Sequence, residues 1–429
     1  MLSSRKKFAQ KVCLTASLLL ATSGVVAVLQ SAAPASPVPA AAAPATVARQ
    51  ALRPISIVPG VVGPGAKPHN ANTTKWAVTT KYGAAKAGKT VKLQRQSGAS
   101  WVVVAKSKID KRGYALFAVA SPSRTSPVTY RIYGPGGATA SASTSLWGSD
   151  EDWTEQFSGT ALNSAYWSHR QTDYEPLSRR TCAKASPRAV KVSQGTAKLS
   201  VIIDKSRSGY CKPPKVSNPA KIYGKFRWRL QANIGTDDKH SFLYGVAAAR
   251  IKFQPLQGQH ASFWLQPDDP DTSRTTGHEI DAIEWFGKGV PNGGLTSFAY
   301  APSRLGKKYG IGNKGWVPNP DQFLMNQTDE WYKRYHVFSV EWSPLAYIFR
   351  IDGKETGRIP ASKITGNGAL GTASTPEYPI LSILCSDYEL AKLPDPEEKH
   401  LPQTMSVDWV KTWQNPAFIT PDPPVTAAP

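Results

Sequence analysis

The chain has 429 residues, of which 41% are hydrophobic and 19% charged, proportions typical of a globular rather than a disordered protein. Its 35 prolines and 33 glycines, among 13 tryptophans, 16 tyrosines and 13 phenylalanines, favour short strands joined by many turns and argue against a helix bundle. The formal net charge is +22, so an anionic partner has to be considered.

The N-terminus has the three parts of a secretory signal peptide. Basic residues from Arg5 to Lys11 precede an apolar stretch from Leu14 to Leu29, and Ser31-Ala32-Ala33 supplies small residues for cleavage. Polar residues in the apolar stretch weaken the alternative of a membrane anchor, and no later segment could span a bilayer. We therefore expect a secreted, extracellular protein, either free or associated with the cell wall. Its first two parts are a signal peptide at 1–33 and an Ala/Pro-rich linker at 34–50.

The next block of the chain carries most of the excess charge, since residues 49–148 hold 15 basic residues and one acidic residue. Apolar and polar residues alternate at Val91–Leu93 and Trp101–Ala105, which predicts β-strands. The pattern resembles the immunoglobulin-like accessory domains of secreted bacterial proteins, so residues 51–147 are predicted to form such a domain. Its charge favours an anionic cell-wall or matrix polymer as partner, with a soluble basic spacer as the alternative. No nucleic-acid-binding signature is present, and the protein is predicted to be exported, which argues against nucleic acid.

The cysteines indicate one disulfide bond. Cys13 lies in the predicted signal peptide, and in an oxidising compartment Cys182 and Cys211 are the natural pair. Cys385 lies in an apolar run with no basic neighbour in sequence that would lower its pKa. We therefore predict a buried, unreactive thiol at that position.

From residue 150 onward the chain again predicts strands, with no helical period. Eight or more such strands indicate a large β-sandwich, an all-β domain spanning 150–415 and followed by a Pro-rich tail at 416–429. The predicted strands are Ala197–Ile203, Tyr244–Phe253, Ala261–Leu265, Glu279–Phe286, His336–Trp342, Tyr347–Asp352, Ile380–Cys385 and Met405–Trp413.

One of these strands contains three carboxylates within six residues, in the segment Glu279-Ile280-Asp281-Ala282-Ile283-Glu284. On a helix Glu279 and Glu284 would point about 140° apart, and on a regular strand Glu284 would face away from the other two. A β-bulge at Ala282-Ile283 inserts the one residue that brings all three to the same face. We therefore predict a bulged strand whose carboxylates form one site.

Three acids on one concave face repel one another, so the pKa of at least one of them should rise. A glycosidase needs this difference, because one carboxylate attacks as an anion while the other donates a proton. Retaining glycosidases hold the two carboxyl groups about 5–5.5 Å apart. The flanking aromatic residues disfavour the alternative of a charged strand that faces solvent.

The segment resembles the Glu-x-Asp-x-x-Glu active-site strand of glycoside hydrolase family 16, a β-jelly-roll family of endo-acting retaining enzymes. Other segments are similar to further strands of that family in the right order, among them Ser262 to Pro267 and Met405 to Val410. The resemblance covers about residues 150 to 415. It implies a β-jelly-roll sandwich, a polysaccharide substrate and catalysis that needs no cofactor.

The resemblance also implies roles for individual residues. Glu279 would be the nucleophile, Glu284 the general acid/base and Asp281 an orienting charge between them. Trp264 would offer its flat face to a sugar ring, and Phe286 follows on the same face by strand alternation.

The sequence departs from the family at positions that bear on the substrate. His260 and Arg274 stand where many β-1,3-glucanases have Trp, which makes both candidates for substrate binding. Ala248 stands where many members have Glu. Since the bulged motif is similar to the β-1,3-glucanase, agarase and carrageenase branches, the best interpretation is a β-1,3-glucan of the laminarin type. An agarase- or carrageenase-like hydrolase and a transglycosylase are the alternatives.

Two further residues have competing interpretations. Asp408 matches an aspartate that holds a structural calcium ion in some members, and an ordinary strand residue is the alternative. His278 precedes the predicted nucleophile, but strand alternation points it away, so we expect it to pack structurally. The alternative function of another class is a non-catalytic carbohydrate-binding or wall-adhesion protein. Binding alone does not require both an attacking anion and a proton donor, which disfavours that alternative.

Overall fold

The computed structural model describes ten stretches of the chain, and every structural statement below refers to them: 52–122, 125–147, 153–175, 180–212, 224–269, 276–301, 307–324, 329–365, 371–385 and 400–419. The predicted signal peptide, the linker and most of the Pro-rich tail lie outside these stretches. Within them, no helix has the length and apolar character needed to cross a membrane. The 3₁₀ turns are Ala71–Thr73, Ala84–Lys86, Thr144–Trp147, Pro187–Ala189, Pro291–Gly293, Pro320–Phe323, Ala361–Lys363 and Pro416–Phe418.

The basic N-terminal block folds into two antiparallel sheets. One sheet has the strand order β1-β2-β5, and the other has the order β4-β3-β6-β7, with β8 also paired to β6. The strands are β1 Ser56–Val62, β2 Lys75–Lys81, β3 Thr90–Ser97, β4 Ser100–Lys108, β5 Tyr114–Val119, β6 Thr129–Gly134, β7 Gly137–Ala138 and β8 Ala142–Ser143. The predicted strands of this block are therefore present, while its immunoglobulin-like character and its boundaries stay predictions.

The remaining strands build one large sheet and a small two-stranded one, β14-β15. The large sheet has the order β21-β20-β19-β18-β25-β16-β13-β26-β17-β22-β23-β24. Four short strands add to it: β9 pairs with β26, β10 and β11 pair with β16, and β12 pairs with β13. The strands are β9 Thr154–Glu155, β10 Ser168–His169, β11 Ala183–Ala185, β12 Val190–Ser193, β13 Thr196–Ile203, β14 Tyr210–Cys211, β15 Phe226–Arg227, β16 Arg229–Gly235, β17 Gly245–Lys252, β18 Gln259–Pro267, β19 Glu279–Trp285, β20 Leu295–Ala301, β21 Lys307–Gly310, β22 His336–Ser343, β23 Ala346–Ile351, β24 Lys354–Pro360, β25 Glu377–Cys385 and β26 Gln403–Gln414.

The large sheet folds over on itself as a jelly-roll sandwich. Its two halves are joined through short pairing of β13 with β16, at Ile202 opposite Leu230 and Ile203 opposite Arg229. Residues of β18, β19 and β25 from one half share a hydrophobic core with residues of β17, β22 and β23 from the other. The predicted all-β fold and all eight predicted strands are confirmed.

The N-terminal block packs directly on the outer side of the large sheet. Ile57 and Val58 of β1 belong to one hydrophobic cluster with Trp409 and Trp413 of β26. The contact is close at Gly60, whose φ of +52° is left-handed and where an added Cβ would overlap the Trp413 ring. The two parts of the chain therefore share a core instead of being separate bodies on a linker.

The same contact explains one departure from the family pattern. Ala248 on β17 is fully buried within the cluster shared with the N-terminal block. A glutamate at this position would place a carboxylate under the block without water, which costs several kcal/mol unless the charge is paired. The alanine is therefore suited to the docked N-terminal sheets.

The predicted disulfide is present. Cys182 and Cys211 are bonded, with their Cα atoms 5.6 Å apart, and both side chains are buried. Cys385 is buried on β25, as predicted. The bond closes a loop of the chain, since the two cysteines are 29 positions apart in the sequence.

Removal of this bond should lower the stability of the protein. A Cys182→Ala/Cys211→Ala double variant is expected to lose about 3 kcal/mol in the free energy of unfolding, because its unfolded chain regains the entropy of an open loop. Urea unfolding with and without reductant measures this loss. Reductant should destabilise the wild-type protein but leave the double variant unchanged, and equal sensitivity of the two proteins would contradict the prediction.

Candidate active site

The three carboxylates lie on β19 around a β-bulge. The β18 partners of Ile283 and Asp281 are consecutive residues, so Ala282 is the extra residue of the bulge. The pairing of β19 with β20 shifts register at the same place. Asp281 and Glu284 are buried and Glu279 is half-buried. The bulge is located as predicted, and the three carboxylates beside it are close enough for their charges to shift one another's pKa values.

Repulsion and burial set the charge state of this group. Burial, then the charges of Glu284 and Glu279, raise the pKa of Asp281 well above its ordinary value. Burial and the charge of Glu284 also raise the pKa of Glu279, which Lys308 and Arg170 partly offset. The group therefore retains a proton at pH values where isolated carboxyl groups would all be ionised, and the proton belongs chiefly to Asp281.

Glu284 is held differently, because two side chains donate to it. Thr296 Oγ1 donates to Oε2 at 2.8 Å, and His260 Nε2 lies 2.5 Å from Oε1. Burial by itself raises the pKa of Glu284, but the interaction with His260 and the hydrogen bond from Thr296 outweigh it and lower the pKa below its usual value. Glu284 is therefore the carboxylate that holds negative charge in the resting site.

The orientation of His260 follows from its second neighbour. Arg180 Nη2 lies 2.9 Å from His260 Nδ1, and a guanidinium group can only donate. Nδ1 must therefore accept, so the ring carries its proton on Nε2 and donates it to Glu284. The ring of Phe286 stacks on the imidazole, with centroids 4.5 Å apart and planes 10° from parallel, and so fixes the ring plane.

The predicted sugar platform, Trp264, lies on β18 opposite Asp281 and is half-buried. The guanidinium of Arg170 lies 5.2 Å from the centre of the Trp264 ring, and it donates to Gln266 Oε1 at 2.7 Å. Gln266 also hydrogen-bonds to Glu279, which lowers the pKa of that carboxyl. A platform for a flat ring and a chain of polar groups that leads to Glu279 are thus adjacent.

Arg170, Arg180, Thr296 and Lys308 were not identified from the sequence. Lys308 on β21 lies 4.9 Å from the ring centre of Tyr300, and its charge lowers the pKa values of all three carboxylates. The charges of Lys308 and Arg170 balance part of the negative charge of the three carboxylates. Each comes from a separate segment, and no local motif marks these segments as part of the site.

Two other predicted positions have different outcomes. Arg274 lies outside the described residues, so its predicted role in substrate binding stays a prediction. His278 is buried, and its Nδ1 lies 2.8 Å from the hydroxyl group of Tyr347. Burial lowers the pKa of His278 to about 4, so the ring is neutral and packs structurally, as expected from strand alternation.

The surroundings of Asp408 do not fit a calcium site. Arg250 Nη1 lies 2.6 Å from Asp408 Oδ2, and the backbone N–H of His69 donates to the same oxygen at 3.1 Å. A guanidinium group already supplies the positive charge there, whereas calcium needs six to eight oxygen ligands. Three other described carboxylates come within 4.8 Å of one another, those of Asp237, Asp238 and Asp268.

The fold and the site together define a class of protein: a jelly-roll β-sandwich with buried carboxylates gathered around a bulge, as in glycosidases with carboxylate catalysis. A sequence model of the family described as glycosyl hydrolases family 16 matches residues 183–411, just over half of the chain. The chain belongs to glycosyl hydrolases family 16, which makes it an O-glycosyl hydrolase by class. The predicted family and enzyme class are confirmed.

Individual relatives are more distant. The chain is 22% identical over 277 residues to the glucan endo-1,3-beta-glucosidase A1 of Niallia circulans, and the match covers 61% of this chain but 37% of that protein. Among solved structures, the laminarinase catalytic domain of Thermotoga maritima MSB8 has a TM-score of 0.45 at 16% identity, covering 62% of this chain and 99% of that one. The endo-beta-1,3-glucanase of Pyrococcus furiosus has a TM-score of 0.44 at 18% identity, with 63% and 94% covered.

Proposed function

We propose that the protein is an endo-acting, retaining hydrolase of β-1,3-glucan. The observation that carries the proposal is the bulge on β19, since it brings Glu279, Asp281 and Glu284 into one group within a chain that belongs to family 16. The Niallia circulans relative, named as an endo-1,3-beta-glucosidase, supports the choice of linkage.

The proposed mechanism uses two displacements. Glu279 attacks the anomeric carbon while Glu284 gives its proton to the departing glycosidic oxygen, and a glycosyl-enzyme ester forms. Glu284 then takes a proton from water, and the water oxygen attacks the same carbon and releases Glu279. Asp281, predicted as an orienting charge, keeps its proton because its pKa is raised, so it adds no negative charge beside Glu279.

Glu284 has to be protonated before the first displacement. The sugar that enters the site displaces water and so favours the neutral acid. His260 donates to Oε1 through a fixed ring N–H, whereas the Thr296 hydroxyl group can rotate from donor to acceptor, so the transferable proton belongs on Oε2. The lowered pKa of Glu284 places the most active protonation state on the acidic side of neutral pH.

Export to an oxidising compartment is part of the proposal. The signal-like residues 1–33 and the bond between Cys182 and Cys211 support it, because such bonds persist mainly outside the cytosol.

A substrate panel tests the proposed function. The protein would be incubated with laminarin, lichenan, agarose and carrageenan, and new reducing ends would be counted. We expect the fastest release from laminarin, with long oligosaccharides first and with β-anomers as the initial products in NMR spectra. Preference for agarose or carrageenan would overturn the linkage, and α-anomers would overturn the mechanism. Elongation of added acceptor oligosaccharides in place of hydrolysis would indicate a transglycosylase.

Replacement of His260 should shift the pH profile of the enzyme. In His260→Phe the donor to Glu284 is lost, so the pKa of this carboxyl rises and a larger fraction is protonated at a given pH. Because the pKa of Glu284 lies below that of Glu279 in the free enzyme, the acidic limb of kcat/KM follows Glu284, and this limb should move to higher pH. The matched variant His260→Gln keeps an N–H donor and should shift the limb less. A limb at the wild-type position in His260→Phe would show that His260 does not control the acid.

A further inference from the structure

The N-terminal block has a sheet face that the proposed hydrolysis does not use. In the sheet of β4, β3 and β6, one side is formed by Val91, Leu93 and Ile132, which are fully buried. Because side chains alternate across a strand, the intervening residues form the opposite side. We call this opposite side the outer face, made up of Trp101, Val103 and Lys106 on β4, Lys92 and Gln94 on β3, and Arg131 and Tyr133 on β6.

Strand pairing places the residues of the outer face in rows. Lys92 lies opposite Lys106 on one side and Tyr133 on the other. Gln94 lies in the same way between a residue of β4 and Arg131. Tyr133 is 48% exposed, and Lys92 and Lys106 are also exposed. Cationic side chains and an aromatic ring are therefore next to one another on an open surface.

Trp101 and Arg131 are held in a fixed arrangement on this face. The guanidinium of Arg131 lies 4.2 Å from the centre of the Trp101 ring, and its Nε donates to Gln94 Oε1 at 2.8 Å. Only one of the five N–H donors of arginine is used in this bond, so Nη donors remain for a ligand. Trp101 is half-buried, which leaves part of the ring accessible.

The charge of the block defines the ligand that would fit. Its one acidic residue, Asp110, is paired with Arg112 at 3.4 Å and is not on the outer face. Cations that are not offset by acids attract a polyanion. The two aromatic rings favour a polymer built of sugar rings, because flat apolar surfaces pack against ring faces.

We propose that the outer face binds a polysaccharide that carries carboxylate groups, a polyuronate, and so holds the enzyme on an acidic glycan matrix. Lys92, Lys106 and Arg131 contact the carboxylates, and Trp101 and Tyr133 contact the sugar rings. This surface is independent of β19, so its failure and the failure of the proposed hydrolysis can be told apart.

Binding of the intact protein to polygalacturonate by titration calorimetry tests the proposal, with fully methyl-esterified polygalacturonate as the uncharged counterpart. We expect binding at low salt that weakens as ionic strength screens the contacts over about 8 Å, and much weaker binding to the ester. Arg131→Gln and Tyr133→Ala should each lower the affinity about tenfold, a loss typical of one charged or aromatic contact. Lys75→Gln removes an exposed charge of the other N-terminal sheet and should have little effect.

Each other outcome counts against the proposal. Equal affinity in Arg131→Gln, Tyr133→Ala and wild type would place the binding elsewhere, as would equal binding to the methyl ester. Equally strong binding to inorganic polyphosphate would reduce the face to a site for any polyanion. A dimer in light scattering that is disrupted by Val103→Glu would show that the face is covered by a second copy. Thermal unfolding of each variant verifies that it is folded, and since Tyr133 is exposed, its replacement should leave the fold intact.

Discussion

Glu279→Gln is expected to abolish hydrolysis of every substrate, because the amide is isosteric with the carboxylate but cannot form the glycosyl ester. Glu279 is half-buried at the start of β19, so the substitution should leave the fold intact. Reducing-sugar release and the thermal unfolding midpoint would be measured on the same preparation. Activity close to that of wild type would exclude Glu279 as the nucleophile.

Glu284→Ala should lower kcat by about 10²–10⁴-fold on polysaccharide, which is the usual contribution of general acid–base catalysis. The loss should be smaller on aryl glycosides, whose leaving groups need little protonation. Added azide should restore turnover on these substrates, since it attacks the glycosyl-enzyme without a general base. The product would be the β-glycosyl azide. If azide does not restore turnover, although Glu279→Gln is inactive, Glu284 is not the general acid/base.

A third large effect is expected at the contact between the N-terminal block and the large sheet. The guanidinium group of Arg250 is fully buried, and it donates to the carbonyl groups of Gly63 at 2.6 Å and Lys67 at 3.0 Å as well as to Asp408. Burial lowers the pKa of Arg250 and raises that of Asp408, which disfavours the charged form of each group. The charge of each partner opposes this effect on the other, so each group favours the ionised form of its partner. Asp408→Ala leaves a buried cation unpaired, and the free energy of unfolding should fall by about 3–5 kcal/mol.

Urea unfolding would measure this loss, with two matched variants. Glu330→Ala removes one partner of the ion pair with Lys288, which is 58% exposed, and should change the free energy of unfolding little because solvent screens this pair. Arg250→Met/Asp408→Leu replaces both charges by apolar groups and should be more stable than Asp408→Ala. If Asp408→Ala unfolds at the same urea concentration as Glu330→Ala, the buried pair does not stabilise the contact.

The catalytic strand could be predicted from the sequence because its information is local. Glu279, Asp281 and Glu284 lie within six residues, and alternation with period two shows that one inserted residue is needed to bring them to one face. The strands and the disulfide were predictable for similar reasons. Strand alternation is read from neighbours in the chain, and Cys182 and Cys211 were the natural pair.

The residues that set the charges of the site could not be found in this way. Arg170, Arg180, His260 and Lys308 come from four segments, and they meet at the carboxylates only because the large sheet brings these segments together. His260 was noted as a departure from the family, but its contact with Glu284 depends on the pairing of β18 with β19. A hydrogen bond between residues distant in sequence leaves no periodic signal in the chain.

The sequence of residues 49–148 by itself determined two properties of this block: its composition makes it strongly cationic, and its alternation of apolar and polar residues predicts strands. Only the tertiary structure showed where the block lies. Trp409 and Trp413 would look the same in the sequence of β26 whether one face or both faces of its sheet were covered, so the sequence does not identify the N-terminal sheets as the cover. The alternation of β26 indicates burial but does not name the partner. The burial of Ala248 and the pairing of Asp408 with Arg250 depend on that partner, since both lie in the contact that the N-terminal sheets complete.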